Sequence, residues 1–359
     1  MPTHMAHESG LLVLVHVFIM IWHLGTYIVS GEQKVPCYFI FGDSLVDNGN
    51  NNELHSKWKA NYPPYGVDFP KGATGRFCNG RTTADIIGQF IGLDEFLPSY
   101  IKATDEEIIR GVNYASAGCG IREETGSHNG GRFSLDMQLL NHKSIIKRLW
   151  RLKHNISIIK ECMYVVNIGS NDFINNYFLP EHYNTSRRYN IERYVEVLMK
   201  QYSKQLRTLY KMGARKVALF ALTQIGCTPF AIKKFETKGK PCANELNKAA
   251  MLFNHKFKPL VDKLNNRNSD ALFTFINITS ILYPQGDVPL RNPPCCKIKG
   301  EWACIAGSVP CPARIFHIYY DALHPSELSN VAMATRAYHA VHPSDAYPHD
   351  IFHLVRIRH

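Results

Sequence analysis

The sequence predicts an α/β protein built on a mainly parallel sheet of five strands. Five short runs rich in β-branched or aromatic residues are apolar throughout, a pattern typical of strands that are covered on both faces. Helical patterns lie between these runs, and such alternation indicates βαβ units. The predicted strands are residues 37–41, 111–115, 163–169, 216–222 and 272–278.

The predicted helices connect these strands and begin or end at recognisable residues. The first follows a threonine cap, the second follows Ser134, and the third ends before Gly213, a common helix stop. In parallel sheets of this kind, ligands bind at the carboxyl ends of the strands. The predicted helices are residues 83–91, 134–153, 190–212, 243–265 and 326–340.

The 359 residues, 45% of them hydrophobic, suit one domain over residues 31–359, because no repeat or linker divides the chain. Residues 11–22 form an apolar run of the length of a signal-peptide core, too short for a comfortable membrane span. We therefore expect residues 1–30 to be a cleaved signal peptide and the protein to be secreted, without a stable membrane span. The first ten residues contain no Lys or Arg, and an uncleaved anchor is the alternative.

The ten cysteines all follow the predicted signal peptide, and an even number suits disulfides in a secreted protein. No zinc-type spacing of Cys and His occurs, so no metal site is predicted. Adjacent Cys295 and Cys296 are expected to pair with different partners; free buried thiols are the alternative. Three N-x-[ST] sequons mark glycosylation candidates at Asn155, Asn184 and Asn277.

The formal charge of +11 and the pI near 9.1 raise the question of a nucleic-acid partner. The basic residues are scattered, and a secreted chain rarely meets nucleic acid, so this class is excluded. Two interpretations stay open: weak long-range attraction to polyanionic cell-wall material, or a solvated surface without a specific partner.

Ser44, in the stretch IFGDSLVDNGNNN, lies just past the carboxyl end of the first predicted strand. It is either a turn residue or a nucleophile. A serine nucleophile needs a histidine base, a carboxylate that orients this base, and donors for the oxyanion. The Asp321-Ala-Leu-His324 stretch supplies such a pair within one helical turn.

Two residues at other predicted strands are candidate oxyanion donors. Gly111 begins the second strand and would allow a close backbone approach, and Asn171 follows the third and carries a side-chain donor. The alternatives are a glycine that starts a strand and an asparagine that forms a turn.

Four motifs in order resemble the GDSL esterase/lipase family of the SGNH hydrolase superfamily, in particular its plant branch. They are FGDS with Asp47-Asn48-Gly49-Asn50, Gly111-Val112-Asn113-Tyr114-Ala115, Gly169-Ser170-Asn171-Asp172 and Asp321-Ala322-Leu323-His324. Residues 62–87 and 344–354 resemble the plant branch as well. The resemblance spans residues 36–354.

The resemblance implies a three-layer α/β/α sandwich of the SGNH, flavodoxin-like type. It implies that Ser44 is the nucleophile, His324 the base and Asp321 its orienting carboxylate. The oxyanion hole would consist of the Ser44 N–H, the Gly111 N–H and the Asn171 side chain. The supporting residues would be Asp43, Asn113 and Asp172.

This pattern predicts a secreted carboxylester hydrolase that needs no cofactor and takes a small-molecule, lipid or polysaccharide acyl ester. An acyltransferase that uses a sugar or polyol acceptor needs the same triad, so the sequence does not separate the two. An extracellular binding or defence protein that does not use the site is the alternative of another class.

Overall fold

The five predicted strands form the parallel part of a sheet in the computed structural model, which describes residues 34–235, 237, 239–282 and 293–357. The predicted signal peptide, residues 1–30, lies outside the described residues. The strands of the main sheet stand in the order β2-β1-β3-β4-β5-β8, and β6 and β7 form a separate hairpin. The strands are β1 Tyr38–Gly42, β2 Gly111–Asn113, β3 Met163–Asn167, β4 Lys216–Phe220, β5 Leu272–Ile276, β6 Ile298–Lys299, β7 Ala303–Cys304 and β8 Ala346–Tyr347.

The sheet contains one strand more than the five that were predicted. Strand β8 lies antiparallel to β5 at the edge of the sheet, where Tyr347 pairs with Phe275. Two residues are too few to produce a periodic pattern, and for this reason β8 is not predicted from the sequence.

The five predicted helices are present, and most of their ends lie within one or two residues of the predicted ones. Thr82 and Asp85 form a reciprocal capping box at the start of α1, and Ser134 caps α2 by accepting the N–H of Met137. The α-helices are α1 Thr83–Phe90, α2 Leu135–Arg151, α3 Ser170–Asp172, α4 Thr185–Arg188, α5 Ile191–Lys211, α6 Pro229–Lys234, α7 Asn244–Arg267, α8 Ile278–Leu282, α9 Glu327–Tyr338 and α10 Ile351–Arg356. A π turn covers Phe173–Tyr177, and 3₁₀ turns cover Asn50–Glu53, Glu107–Ile109, Ser127–Asn129, Ile156–Lys160, Ile225–Cys227 and Arg314–Phe316.

The core has two halves, one on each face of the sheet, because successive strand residues point to opposite faces. In β1, Phe39 and Phe41 pack in the cluster that contains α2, α5 and α7, which we name the α5 side. Tyr38 and Ile40 pack in the other cluster, with α1, α8, α9 and α10, which we name the α9 side. The fold is therefore the expected three-layer α/β/α sandwich.

A third apolar cluster lies under the loops beyond the carboxyl edge of the sheet and contains Trp58, Tyr65, Phe77 and Tyr320. It includes the β6–β7 hairpin segment, which two disulfides hold. Cys295 and Cys296 pair with different partners, as predicted, and Cys78 and Cys119 are free and buried. The disulfides are Cys37–Cys162, Cys227–Cys242, Cys295–Cys311 and Cys296–Cys304.

Candidate active site

Ser44 stands in the tight turn that follows β1. Gly42 must be glycine, because a Cβ atom there would come within 2.5 Å of the Asn167 carbonyl oxygen on β3. Asp43 then closes the turn, since its Oδ1 accepts the Leu45 N–H at 3.0 Å and its carbonyl accepts the N–H groups of Val46 and Asp47 at 3.2 and 3.0 Å. The Ser44 N–H has no acceptor among the described residues. The turn thus presents both the hydroxyl and the amide of Ser44.

A continuous hydrogen-bonded chain joins Ser44 to the Asp321/His324 pair. Ser44 Oγ lies 2.8 Å from His324 Nε2, and His324 Nδ1 lies 2.7 Å from Asp321 Oδ2. Because a carboxylate only accepts hydrogen bonds, Nδ1 carries the proton and Nε2 is left to accept from the serine hydroxyl. The structure therefore brings together the three residues that the sequence placed in one site.

Asp321 is fully buried and accepts four hydrogen bonds. Its Oδ1 accepts the backbone N–H groups of Leu323 and His324 at 2.8 and 2.7 Å. Its Oδ2 accepts from His324 Nδ1 and also from the Tyr65 hydroxyl at 2.7 Å. Protein groups alone satisfy the hydrogen-bonding capacity of the carboxylate. The carboxylate in turn holds His324 through both the backbone N–H and the ring of this histidine.

Tyr65 is a site residue that the sequence reasoning missed. It is 1% exposed, and besides donating to Asp321 its hydroxyl accepts the Cys304 N–H at 3.2 Å. The signal available was the resemblance of residues 62–87 to the plant branch, but nothing in that stretch assigns a hydrogen-bond partner to Tyr65. Phe77 and Trp302 complete the surroundings, with ring centroids 4.8 and 5.8 Å from that of His324.

Asn171 lies on α3, directly after the turn that ends β3, and lines the same recess as Ser44 and His324. We name this space the catalytic recess; Ile174 and Ile225 line it on the α5 side. Asn171 Nδ2 donates to the Cys119 carbonyl at 3.0 Å, and its Oδ1 accepts from Asn175 Nδ2 at 2.6 Å. One of the two Nδ2 protons stays available for a ligand.

Gly111 does not belong to this site, and its prediction as an oxyanion donor is corrected by the strand register. Gly111 pairs with Tyr38 at the amino end of β1. Ser44 follows Gly42, four residues further along β1, and at about 3.3 Å per residue the two ends of that strand are about 13 Å apart. Glycine is required at 111 for another reason: φ is +119°, and a Cβ would collide with the Tyr38 carbonyl oxygen. Gly111 is therefore a glycine that starts a strand, which was the alternative interpretation of the sequence.

The loop after β2 approaches the site in place of Gly111. It contains Cys119, whose carbonyl accepts from Asn171. The backbone N–H groups of Gly118 and Gly120 in this loop have no acceptor among the described residues. Both are buried.

The three predicted supporting residues hold the loops around Ser44. Asn113 Nδ2 donates to the Val46 carbonyl at 2.7 Å, which ties the end of β2 to the Ser44 turn. Asp172 accepts the N–H groups of Ile121 and Arg122 at 2.8 and 3.0 Å, which ties the loop after β2 to α3. Asp43 closes the serine turn itself.

Burial perturbs the carboxyl groups near the serine. It raises the pKa of Asp43 to about 7, with the Leu45 N–H and His324 opposing the shift and Asp172 and Asp47 adding to it. Burial likewise raises the pKa of Asp47 and of Asp172 to about 6, against several backbone donors. These groups take up protons at pH values at which exposed aspartates are fully ionised.

No residue set at this site has the character of a metal centre. Within the part of the chain that the structure describes, one cluster of potential ligands combines Cys295, Cys311 and His317. Its two sulfur atoms are joined in a disulfide, so they are not thiolate ligands.

A Ser–His–Asp hydrogen-bonded chain at the carboxyl edge of a mainly parallel sheet is the arrangement of a serine hydrolase. The family model described as GDSL-like Lipase/Acylhydrolase matches residues 38–337. The chain therefore belongs to the GDSL-like lipase/acylhydrolase family.

Curated relatives extend this match over nearly the whole chain. The Arabidopsis thaliana GDSL esterase/lipase At1g29660 is 43% identical over 96% of this chain and 98% of its own length. GDSL esterase/lipase At4g18970 of the same plant is 40% identical over 96% of this chain and 99% of its own. A solved structure, phospholipase A1 from Streptomyces albidoflavus NA297, aligns with 83% of this chain and 95% of its own at 13% identity and a TM-score of 0.38, too low to carry an argument.

Replacing Tyr65 by Phe is expected to lower the free energy of unfolding by about 1–3 kcal/mol, because a buried carboxylate loses a donor and the Cys304 N–H loses its acceptor. Tyr62→Phe is the matched control: this half-exposed hydroxyl donates to the Cys304 carbonyl at 3.1 Å, and water can replace it. Urea denaturation of the two variants measures the difference. An equal decrease in the free energy of unfolding in both variants would show that the hydrogen bond from Tyr65 to Asp321 stabilises the protein no more than an exposed one.

The Asp43 carboxyl is expected to make stability depend on pH. Its pKa is raised from 3.8 to about 7 in the folded state, so between these values the native state holds a proton that the unfolded state has lost. This contribution to stability is present at low pH and is lost as the pH rises toward 7. Asp43→Asn lacks the titration, and its stability relative to the wild type should therefore increase with pH, by at most about 1.4 kcal/mol per pH unit.

Urea denaturation of both proteins at pH 5, 6, 7 and 8 tests this expectation. Asp68→Asn is the control, because the Arg314 hydrogen bond lowers the pKa of Asp68 and its titration lies below this range. A constant difference between wild type and Asp43→Asn across the series would contradict the raised pKa.

Proposed function

We propose that this chain is a secreted serine carboxylester hydrolase that cleaves acyl esters through an acyl-enzyme on Ser44. The observation that carries the proposal is the hydrogen-bonded chain from Ser44 through His324 to the buried Asp321. Membership of a family whose curated relatives are named GDSL esterase/lipases supports the substrate class.

In the first step, Ser44 Oγ bonds to the ester carbonyl carbon while its proton moves to His324 Nε2. The carbonyl electron pair moves onto oxygen and forms an oxyanion. When this intermediate collapses, the bond to the alcohol oxygen breaks, and the alcohol leaves with the proton from Nε2. Asp321 stabilises the imidazolium that forms between these two events.

Water then repeats the sequence on the acyl-enzyme. It loses a proton to His324 Nε2 as its oxygen bonds to the acyl carbon, and collapse releases the acid and returns the proton to Ser44 Oγ. In both halves of the cycle, His324 Nε2 accepts a proton and then donates it.

The oxyanion is proposed to bind the free Ser44 N–H and the free Nδ2 proton of Asn171. The amide that the sequence assigned to Gly111 is proposed to come instead from the loop after β2, where Gly118 and Gly120 have N–H groups without an acceptor in the described chain. All of these donors belong to elements that hydrogen bonds fix in place, and such preorganisation is the main source of oxyanion stabilisation.

Secretion is proposed from the predicted signal peptide and the four disulfides, which suit an oxidising compartment. No helix in the described residues is both long and apolar enough to cross a membrane. Of the three sequons, Asn155 and Asn184 are exposed, whereas Asn277 is half-buried. We therefore propose the first two as glycosylation sites before Asn277.

Ser44→Ala is expected to abolish hydrolysis of p-nitrophenyl esters, measured from acetate to palmitate, because it removes the hydroxyl that is hydrogen-bonded to His324. Ser144→Ala, a serine on α2 outside the recess, is the control and should retain wild-type activity. Labelling by a fluorophosphonate probe should occur in the wild type and fail in Ser44→Ala.

Equal activity of wild type and Ser44→Ala would refute the serine mechanism. Absence of both activity and labelling in the folded wild type would favour a binding role. Product analysis with an added alcohol acceptor distinguishes hydrolysis from acyl transfer, since an acyltransferase would yield the new ester in place of the free acid.

Asn171→Ala is expected to lower kcat by about 10²- to 10³-fold with little change in KM, because an oxyanion donor acts mainly in the transition state. Asn171→Asp keeps the shape of the side chain and should not restore the rate, since it replaces the donor by a negative charge. Steady-state kinetics on one soluble ester measures both variants. An unchanged kcat in Asn171→Ala would remove this side chain from the mechanism.

A further inference from the structure

An apolar pocket adjoins the catalytic recess on the α9 side of the sheet. Its cavity volume is about 40 Å³, and its walls include Ile278, Leu282 and Met333, which come from α8 and α9. We name it the lateral pocket. Among the described residues that line it, none is charged.

The lateral pocket and the catalytic recess share part of their walls. The residues that line both are Leu45, Ser170, Thr223, Thr228 and Leu323. Leu45 directly follows the nucleophile, and Leu323 directly precedes the histidine. The two spaces are therefore adjacent, and the lateral pocket begins beside the residues that flank Ser44 and His324.

Three of the hydroxyl groups that line the lateral pocket donate to other protein groups. Thr83 Oγ1 donates to Asn330 Oδ1 at 3.1 Å, Thr228 Oγ1 to the Ile225 carbonyl at 3.0 Å, and Ser329 Oγ to the Ile318 carbonyl at 2.9 Å. With these protons committed, the pocket presents mainly carbon atoms to a ligand. Burial of an alkyl chain is favourable in such surroundings, by about 0.8 kcal/mol per methylene group.

Met333 forms part of the wall of the lateral pocket and belongs to the hydrophobic core on the α9 side. It lies one helical turn after Ser329 on α9, so the two side chains share a face, and it lines the lateral pocket but not the recess. It is 6% exposed and packs in the cluster on the α9 side. A larger or smaller side chain at position 333 therefore changes the space available in the lateral pocket.

From this arrangement we infer that the lateral pocket binds the alkyl chain of the acyl group, and that Met333 limits the length of chain accepted. The inference rests on the proposed function and adds the acyl-binding subsite to it. The alcohol part of the ester would then occupy the opposite, α5 side of the recess, near Ile174 and Ile225. The preferred substrates would be esters of unbranched, uncharged aliphatic acids.

The test measures kcat/KM on two series of esters. One series varies the acyl chain of p-nitrophenyl esters, and the other varies the alcohol chain of acetate esters. Met333→Ala should move the acyl-chain optimum to longer chains, and Met333→Trp should move it to shorter ones. The ratio of kcat/KM between a chain just beyond the wild-type optimum and the optimum itself should change by at least about tenfold.

Phe178→Ala is the matched control, because Phe178 lines a separate apolar pocket that shares no residue with the recess. It should leave the acyl-chain profile unchanged. Fluorophosphonate labelling of each variant shows that its site is folded, and two variants with opposite expected shifts guard against the failure of one to fold.

If the Met333 variants shift the chain-length optimum in the alcohol series and not in the acyl series, the inference is overturned, and the lateral pocket binds the alcohol part of the ester. Identical acyl profiles in both Met333 variants and the wild type would overturn it as well, while Ser44-dependent hydrolysis left the proposed function intact. Loss of the proposed function itself would appear separately, as activity that survives Ser44→Ala.

Discussion

The buried Asp321 carboxylate is the group on which the geometry of the site depends. It takes one hydrogen bond from the ring of His324, two from the backbone of its own turn and one from Tyr65. A buried carboxylate is costly unless donors compensate it. The four donors meet this requirement, and in doing so they fix the histidine against the turn that carries Ser44. The turn that carries Ser44 is itself fixed by the parallel pairing of β1 with β3.

Short-range sequence patterns were enough to predict the parallel strands, several helix ends and part of the site. The five parallel strands are continuous apolar runs, and the cap residues of α1 and α2 can be recognised in the sequence. Asp321 and His324 are close enough in sequence to meet within one turn. Ser44 could be placed at the carboxyl edge because it follows a predicted strand. For these elements, the information needed lies within a few residues of the feature.

Register and long-range pairing were not predictable in the same way. Gly111 and Ser44 both belong to family motifs, but a motif does not state which end of a strand faces the site, and the pairing of Gly111 with Tyr38 places the glycine at the far edge. Tyr65 and Asp321 are 256 positions apart, and no local pattern links them. Strand β8 forms because its two residues pair with the edge of β5, and this pairing is not encoded in a local pattern.

The β6–β7 hairpin segment connects a disulfide to the geometry of the site around Ser44. The Cys304 backbone donates to Tyr65, Tyr65 donates to Asp321, and Asp321 holds His324, while the Cys304 side chain is closed by its bond to Cys296. The orientation of His324 is thus connected through three hydrogen bonds to a covalent bond that forms only by oxidation. The Cys296–Cys304 disulfide and the orientation of His324 therefore depend on one continuous set of contacts.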